Sequence, residues 1–89
     1  YPKAVTAGQT PAEQVINPDL APTLLDLAGV KSPTPMHGRS VLPLIDGQPR
    51  KKFDWREAWY YEYHEFPDPA HNVAKHRGVR TPEWKYIHY

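Results

Sequence analysis

Residues 19–47 read DLAPTLLDLAGVKSPTPMHGRSVLPLIDG and predict a helix, a turn and a second short helix. The first helix is predicted over residues 19–28, with Asp19 as the side-chain cap at its start. One face of this helix carries leucines at the i, i+4 and i+7 spacing: Leu20, Leu24 and Leu27. Gly29 follows the last leucine, and a glycine in the left-handed conformation commonly ends a helix there.

The second helix is predicted over residues 40–45, where Ser40 can cap a short apolar segment. Residues 31–35 must form a loop, because each of the two prolines there disfavours helical backbone in the residue before it. The pair Asp46–Gly47 is a turn dipeptide, which indicates the end of the segment.

The second half of the chain is rich in tryptophan and tyrosine and predicts strands. We expect strands over about residues 57–64, 77–81 and 83–89, with the last two joined as a hairpin. The aromatic residues of the third strand are expected to pair against residues 59–63. Alternation along the strands predicts that about half of the aromatic side chains form a core. The predicted fold class is α+β, with helices first and a small antiparallel sheet afterwards.

Composition and charge exclude several classes of function. The chain has 11 basic and 10 acidic residues and a net charge of +1, so we expect no nonspecific binding to nucleic acid. No apolar run approaches the roughly 20 residues that cross a bilayer, so no membrane partner is expected. The absence of cysteine removes disulfides, thiolate metal ligands and thiol nucleophiles. The basic run at residues 50–52 is interpreted as a solvated loop.

Five segments follow one another in the chain: DLAPTLLDLAG (19–29), MHGRSVLPLIDG (36–47), YYEY (60–63), HNVAKHRGVRT (71–81) and WKYIHY (84–89). In this order they resemble the last part of the type I sulfatases, the formylglycine-dependent sulfate-ester hydrolases of the alkaline-phosphatase-like superfamily. The ending is most similar to sulfatases that act on glycosaminoglycan or mucin sugars, such as N-acetylglucosamine-6-sulfatases.

The resemblance implies that the chain is the C-terminal portion of such an enzyme. Residues 1–52 would end its large α/β domain, and residues 53–89 would begin its small C-terminal antiparallel subdomain. In that case the leucine face of the first helix lacks the sheet on which it packs. The family acts mostly in the periplasm, outside the cell or in lysosomes, and the sequence itself does not reveal a compartment.

The chemistry of the family is implied to lie outside these 89 residues. Type I sulfatases convert the first residue of a Cys/Ser-x-Pro-x-Arg motif to formylglycine and hold a divalent cation, usually Ca²⁺. Neither Ser32 nor Ser40 lies in this motif, and the paired aspartates for the cation are absent. We therefore predict no catalytic or metal-binding residue and no activity for the chain alone. The implied function is to supply substrate-side residues, beside the rest of the sulfatase chain, for hydrolysis of sulfated carbohydrate; the alternative is a noncatalytic sugar-binding or structural module.

Three residues are the candidates for contact with the sulfated sugar: His71, His76 and Arg80. Histidine nitrogens can form hydrogen bonds with sugar hydroxyls. The planar guanidinium of arginine matches sulfate or carboxylate oxygens in pairs. The alternative is that Arg80 holds the edge of the sheet and that both histidines are solvated.

Other polar residues have both a functional and a structural interpretation. A zinc site could combine three histidines with nearby carboxylates: His71, His76, His88, Glu62, Glu65 and Asp68. Glu62 could instead accept a hydrogen bond from a sugar or from Arg80, or form an exposed ion pair on its strand. Asp19 and Asp26 are interpreted as a helix cap and a solvent-exposed carboxylate rather than as a catalytic pair. The aromatic residues could stack on sugar rings or pack together as a core.

Overall fold

The computed structural model describes residues 1–47 and 54–89 of the chain. The chain divides into two compact units, residues 1–54 and residues 55–89. The first unit contains the helices and the second contains a three-stranded antiparallel sheet, which confirms the predicted α+β class. The predicted domain boundary between residues 52 and 53, and the basic run just before it, lie outside the described residues.

The first helix, α1, spans Leu20–Ala28 and follows a single 3₁₀ turn at Asn17–Asp19. It ends at Gly29, which has a φ of 68° in the left-handed region. There the Val30 backbone N–H donates to the Leu25 carbonyl at 2.9 Å, as in a Schellman-type ending. The sequence prediction for Gly29 is confirmed.

Asp19 does not act as the side-chain cap of α1, so that prediction was wrong. Its side chain is fully buried, and its two carboxylate oxygens accept hydrogen bonds from the backbone N–H groups of Ile16 and Arg39, each at 2.9 Å. Residue 16 precedes the helix and residue 39 lies in the loop that follows it. The buried carboxylate therefore joins the loop to the beginning of α1.

A second contact joins the same loop to α1. The Thr23 hydroxyl donates to the Asp19 carbonyl at 2.6 Å and accepts from the Val41 backbone N–H at 2.9 Å. At Gly38 the loop backbone passes against Pro18 so closely that an added Cβ would lie 1.9 Å from the Pro18 carbonyl oxygen. Only glycine fits this approach.

The second helix, α2, spans Leu42–Ile45, so it begins two residues later than predicted. Ser40 lies before it, and its hydroxyl oxygen accepts from the Leu42 backbone N–H at 3.3 Å. Leu44 is the hydrophobic side chain that is fully buried among the described residues. By contrast, Leu20 and Leu24 of α1 are 59% and 66% exposed, so this part of the leucine face has no cover within the unit.

The second unit is built on strands β1 (Trp59–Tyr63), β2 (His76–Arg80) and β3 (Lys85–His88). The strand order is β1-β2-β3, and both pairs are antiparallel. The third strand therefore pairs with β2. The prediction that it pairs against residues 59–63 was wrong. The predicted β2–β3 hairpin does form, and in it the Thr81 backbone N–H donates to the Trp84 carbonyl at 2.8 Å. The prediction fails because β1 pairs with the other edge of β2, which makes β2 the central strand.

The aromatic residues form less of a core than expected. In β1 the odd-numbered positions are half-buried and Tyr60 is 56% exposed, whereas Trp84 and Tyr86 are 73% and 66% exposed. Gly78 lies in the middle strand beneath the Tyr61 ring, and an added Cβ would lie 2.7 Å from the Tyr61 hydroxyl oxygen. Alternation therefore identifies the more buried faces of β1 and β2, whereas the aromatic residues Trp84 and Tyr86 remain exposed.

No helix among residues 1–47 and 54–89 has the length and apolar character that crossing a membrane requires.

Candidate functional site

One face of the sheet carries a row of aromatic and imidazole rings. Side-chain alternation puts Trp59, Tyr61 and Tyr63 of β1 on this face. The register of β1 and β2 places His76 opposite Tyr63 and Gly78 opposite Tyr61. The His76 ring stacks on Tyr63 with 5.2 Å between centroids and meets the edge of Tyr61 at 5.8 Å.

His71 reaches the same tyrosine from the loop between β1 and β2. An isolated bridge pairs Asp68 with His71 and turns this loop back on itself. The Tyr63 hydroxyl oxygen then lies 2.6 Å from Nε2 of His71, and the two rings are 5.7 Å apart. The structure thus brings His71 and His76 to the two sides of one side chain, although the sequence separates them by a loop.

Arg80 lies on the same face as His76 but at the other end of β2. Four residues of strand, at about 3.3 Å each, separate the two positions by about 13 Å. The Arg80 guanidinium donates to the Trp84 carbonyl at 3.2 Å and so supports the hairpin. The structure does not bring Arg80 together with the histidines, and its contact is the one that the structural alternative predicted.

The loop after β1 also gathers groups that could hold a cation. Ligand atoms of Glu65, Asp68 and His71 all lie within 4.8 Å of one another. Asp68 already accepts from the Ala70 backbone N–H at 2.7 Å. Among the described residues this is the cluster whose ligand atoms lie close enough together to hold a metal ion. It includes neither His76 nor His88, which the zinc alternative had combined with His71.

The electrostatics of this loop act on Tyr63. Partial loss of solvent, followed by the negative charges of Glu65 and Asp68, raises the pKa of Tyr63 above its ordinary value. The Tyr63 hydroxyl also lies 3.5 Å from a Glu65 carboxylate oxygen. The hydroxyl therefore keeps its proton and remains both a donor and an acceptor.

The opposite face of the sheet carries a separate polar group around Glu62. The Tyr60 hydroxyl donates to one carboxylate oxygen, and Nε2 of His64 lies 2.9 Å from the other. Bonding from Tyr60, then from His64, lowers the pKa of Glu62, while the same contact raises the pKa of Tyr60. Glu62 pairs in register with Arg77, so it faces away from Arg80 and cannot bond to it. Glu62 is an exposed, outward-facing strand residue that hydrogen-bonds to Tyr60 and His64, in agreement with its structural interpretation.

Sequence reasoning treated Tyr63 as one member of an aromatic group and missed that it connects the two histidines. Strand alternation gave a partial signal, since it places Tyr63 on the inner face of β1. A cavity of about 240 Å³ opens at this end of the sheet, and His76, Tyr63, Lys75 and Arg77 are among the residues that line it. The site is thus a surface of aromatic and imidazole rings beside a small cavity whose lining includes Lys75 and Arg77 and also the carboxylate of Glu62.

The chain belongs to a family of sulfatase C-terminal regions. The sequence profile described as N-sulphoglucosamine sulphohydrolase, C-terminal, matches residues 1–89, and the chain is a member of that family. The family membership inferred from the resemblance is confirmed.

Individual relatives agree with this assignment. The chain is 44% identical to N-acetylglucosamine-6-O-sulfatase of Bacteroides thetaiotaomicron over 89 residues, which are 100% of this chain and 16% of the relative. It is 38% identical to a Δ4,5-hexuronate-2-O-sulfatase of the same species over 73 residues, 80% of this chain and 14% of the relative. A solved structure, described as a complex with its substrate D-glucosamine-2-N,6-O-disulfate, superposes with a TM-score of 0.86 and 44% identity. That match covers 99% of this chain and 18% of the other, so the chain spans less than a fifth of each of these proteins.

Proposed function

We propose that the chain is the C-terminal region of a sulfatase that hydrolyses sulfate esters of sulfated sugars of the glycosaminoglycan or mucin type. The observation that supports this most is the similarity along its whole length to an N-acetylglucosamine-6-O-sulfatase, at 44% identity. Residues 1–52 would end the large α/β domain of that enzyme, and residues 53–89 would begin its small antiparallel subdomain. Its partners would be a sulfated carbohydrate and the rest of the sulfatase chain.

Formylglycine and Ca²⁺ are the groups that the family implies, and the residues present here do not fit either group. The 89 residues contain no cysteine and no serine in the Ser-x-Pro-x-Arg pattern. The cluster of Glu65, Asp68 and His71 lacks the paired aspartates of the family's cation site, so we derive no catalytic step through it. The contribution of this chain is to bind and orient the sugar.

The residues proposed for that contribution are His71, His76 and Arg80. The two histidines flank Tyr63, where an imidazole nitrogen can exchange hydrogen bonds with a sugar hydroxyl. Arg80 is on the same face, and its N–H groups other than the one bonded to Trp84 match sulfate or carboxylate oxygens. An oligosaccharide lying along this face would contact the histidines with one sugar unit and the arginine with another.

The test uses the natural protein that carries this chain and compares two substrates. His71→Ala and His76→Ala should each lower kcat/KM for 6-O-sulfated glucosamine about tenfold, the cost of one hydrogen bond, and leave a small aryl sulfate almost unaffected. His37→Ala is the matched control, because His37 is an exposed histidine of the other unit. Equal losses on both substrates would show that the histidines do not contact the sugar. Binding of the sugar without any turnover would favour the noncatalytic module.

A further inference from the structure

We infer that the two histidines have different roles: His76 presents Nε2 to the substrate as a hydrogen-bond acceptor, and Tyr63 and His71 are positioning residues. This inference rests on the proposed function and narrows it: His76 contacts the sugar directly, whereas His71, proposed above as a contact, acts through Tyr63. It follows from the direction of the hydrogen bonds around the two rings.

Both nitrogens of His71 are bonded within the protein. The Val73 backbone N–H is a donor and lies 3.4 Å from Nδ1, so Nδ1 must be the acceptor. In a neutral imidazole the proton is then on Nε2, which donates to the Tyr63 hydroxyl oxygen at 2.6 Å. The Tyr63 proton is left to point to Glu65, whose carboxylate oxygen is 3.5 Å away. His71 therefore has no nitrogen to offer to a ligand.

His76 has the opposite arrangement. Its Nδ1 lies 2.8 Å from the Ala74 carbonyl, which can only accept, so Nδ1 carries the proton. The neutral ring then has a lone pair on Nε2, for which the described residues provide no hydrogen-bond partner. The rings of Tyr61, Tyr63 and Tyr89 surround the imidazole at 5.8, 5.2 and 5.5 Å between centroids and fix its plane.

The ligand group that suits this nitrogen is a donor, and on a sulfated sugar that donor is a hydroxyl. Tyr63 serves both histidines, since its ring stacks on His76 while its hydroxyl holds His71 and the loop. Removing the hydroxyl alone leaves the stacked ring in place, which makes Tyr63→Phe a specific probe of the contact with His71.

The first test uses the natural protein that carries this chain, with 6-O-sulfated glucosamine and its monodeoxy analogues as probes. The wild type should discriminate against one analogue about tenfold through KM, because that analogue leaves Nε2 unpaired. His76→Ala should remove the discrimination between the analogues. His71→Ala should lower the activity but keep the discrimination. If His71→Ala removes the discrimination and His76→Ala keeps it, the assignment of roles is wrong. A thermal melt like that of the wild type shows that each variant is folded.

The second test is a double-mutant cycle on the sugar KM. Tyr63→Phe and His71→Ala should each raise KM about three- to tenfold, and the double variant should be no worse than His71→Ala alone. Tyr60→Phe is the matched control, since it removes a hydroxyl from the opposite face of the same strand, and it should leave KM unchanged. Additive effects of Tyr63→Phe and His71→Ala would overturn the positioning role. If neither His71→Ala nor His76→Ala changed sugar turnover, this inference would be refuted while the proposed function stood; absence of sugar turnover by the wild type would instead refute the proposed function.

Discussion

Replacing Asp19 by asparagine tests the most buried polar contact of the structure. The carboxylate accepts from the backbone N–H groups of Ile16 and Arg39, each at 2.9 Å, and the side chain has no solvent exposure. Hydrogen bonds to a charged group contribute about 1.5–3 kcal/mol each. Asparagine keeps one oxygen but turns an NH₂ group toward the second N–H. We expect Asp19→Asn to cost about 3 kcal/mol of local stability, the upper end for one such bond, because the second N–H is left facing a donor.

Hydrogen exchange read by mass spectrometry measures this cost at the two amides themselves. A loss of about 3 kcal/mol should speed exchange about 100-fold in the segments that contain Ile16 and Arg39. Asp26→Asn is the matched control, because Asp26 is an exposed aspartate on the same helix, and its effect should stay below about twofold. The reasoning fails if both variants exchange alike, or if Asp19→Asn speeds exchange only in the segment around Ile16.

Two further predictions concern activity and pH. The 89-residue chain alone should not hydrolyse a chromogenic aryl sulfate, because it lacks the motif that forms the nucleophile, and turnover by the pure chain above a buffer blank would contradict this. The lowered pKa of Glu62 means that its stabilising effect is present above the ordinary carboxyl pKa and is lost as pH falls through the lowered one. Urea midpoints from about pH 7 to about pH 3 should therefore fall more for the wild type than for Glu62→Gln; parallel curves would show that the contacts of Glu62 with Tyr60 and His64 do not affect folding.

The sequence predicts the features that depend on near neighbours. The end of α1 at Gly29 follows from one residue type at one position, and the structure confirms it. Asp19 was assigned the wrong contact because its second partner, Arg39, is 20 residues away in the chain. A capping aspartate and a buried aspartate that binds a returning loop look the same in sequence, since both precede an apolar helix.

The site shows the same division. Alternation and aromatic content predict the strands. They do not predict the strand order, which depends on the edge with which each strand pairs. Pairing of β1 with β2 makes β2 the central strand, and the register of that pair sets His76 beside Tyr63. The position of His71 depends on a loop that bridges Asp68 to His71, and no local pattern encodes that closure. The family resemblance pointed to His71 and His76. The fold adds that both contact Tyr63, His71 through a hydrogen bond and His76 through ring stacking.

The absence of a side chain at Gly78 is what allows Tyr61 to lie over the middle strand. A methyl group there would collide with the Tyr61 ring and also with the Tyr86 backbone carbonyl, 2.5 Å away, so moving the ring alone would not relieve it. Displacing Tyr61 would take one wall from the His76 imidazole. Under the proposed function, Gly78→Ala should therefore weaken sugar selectivity although it adds a single methyl group.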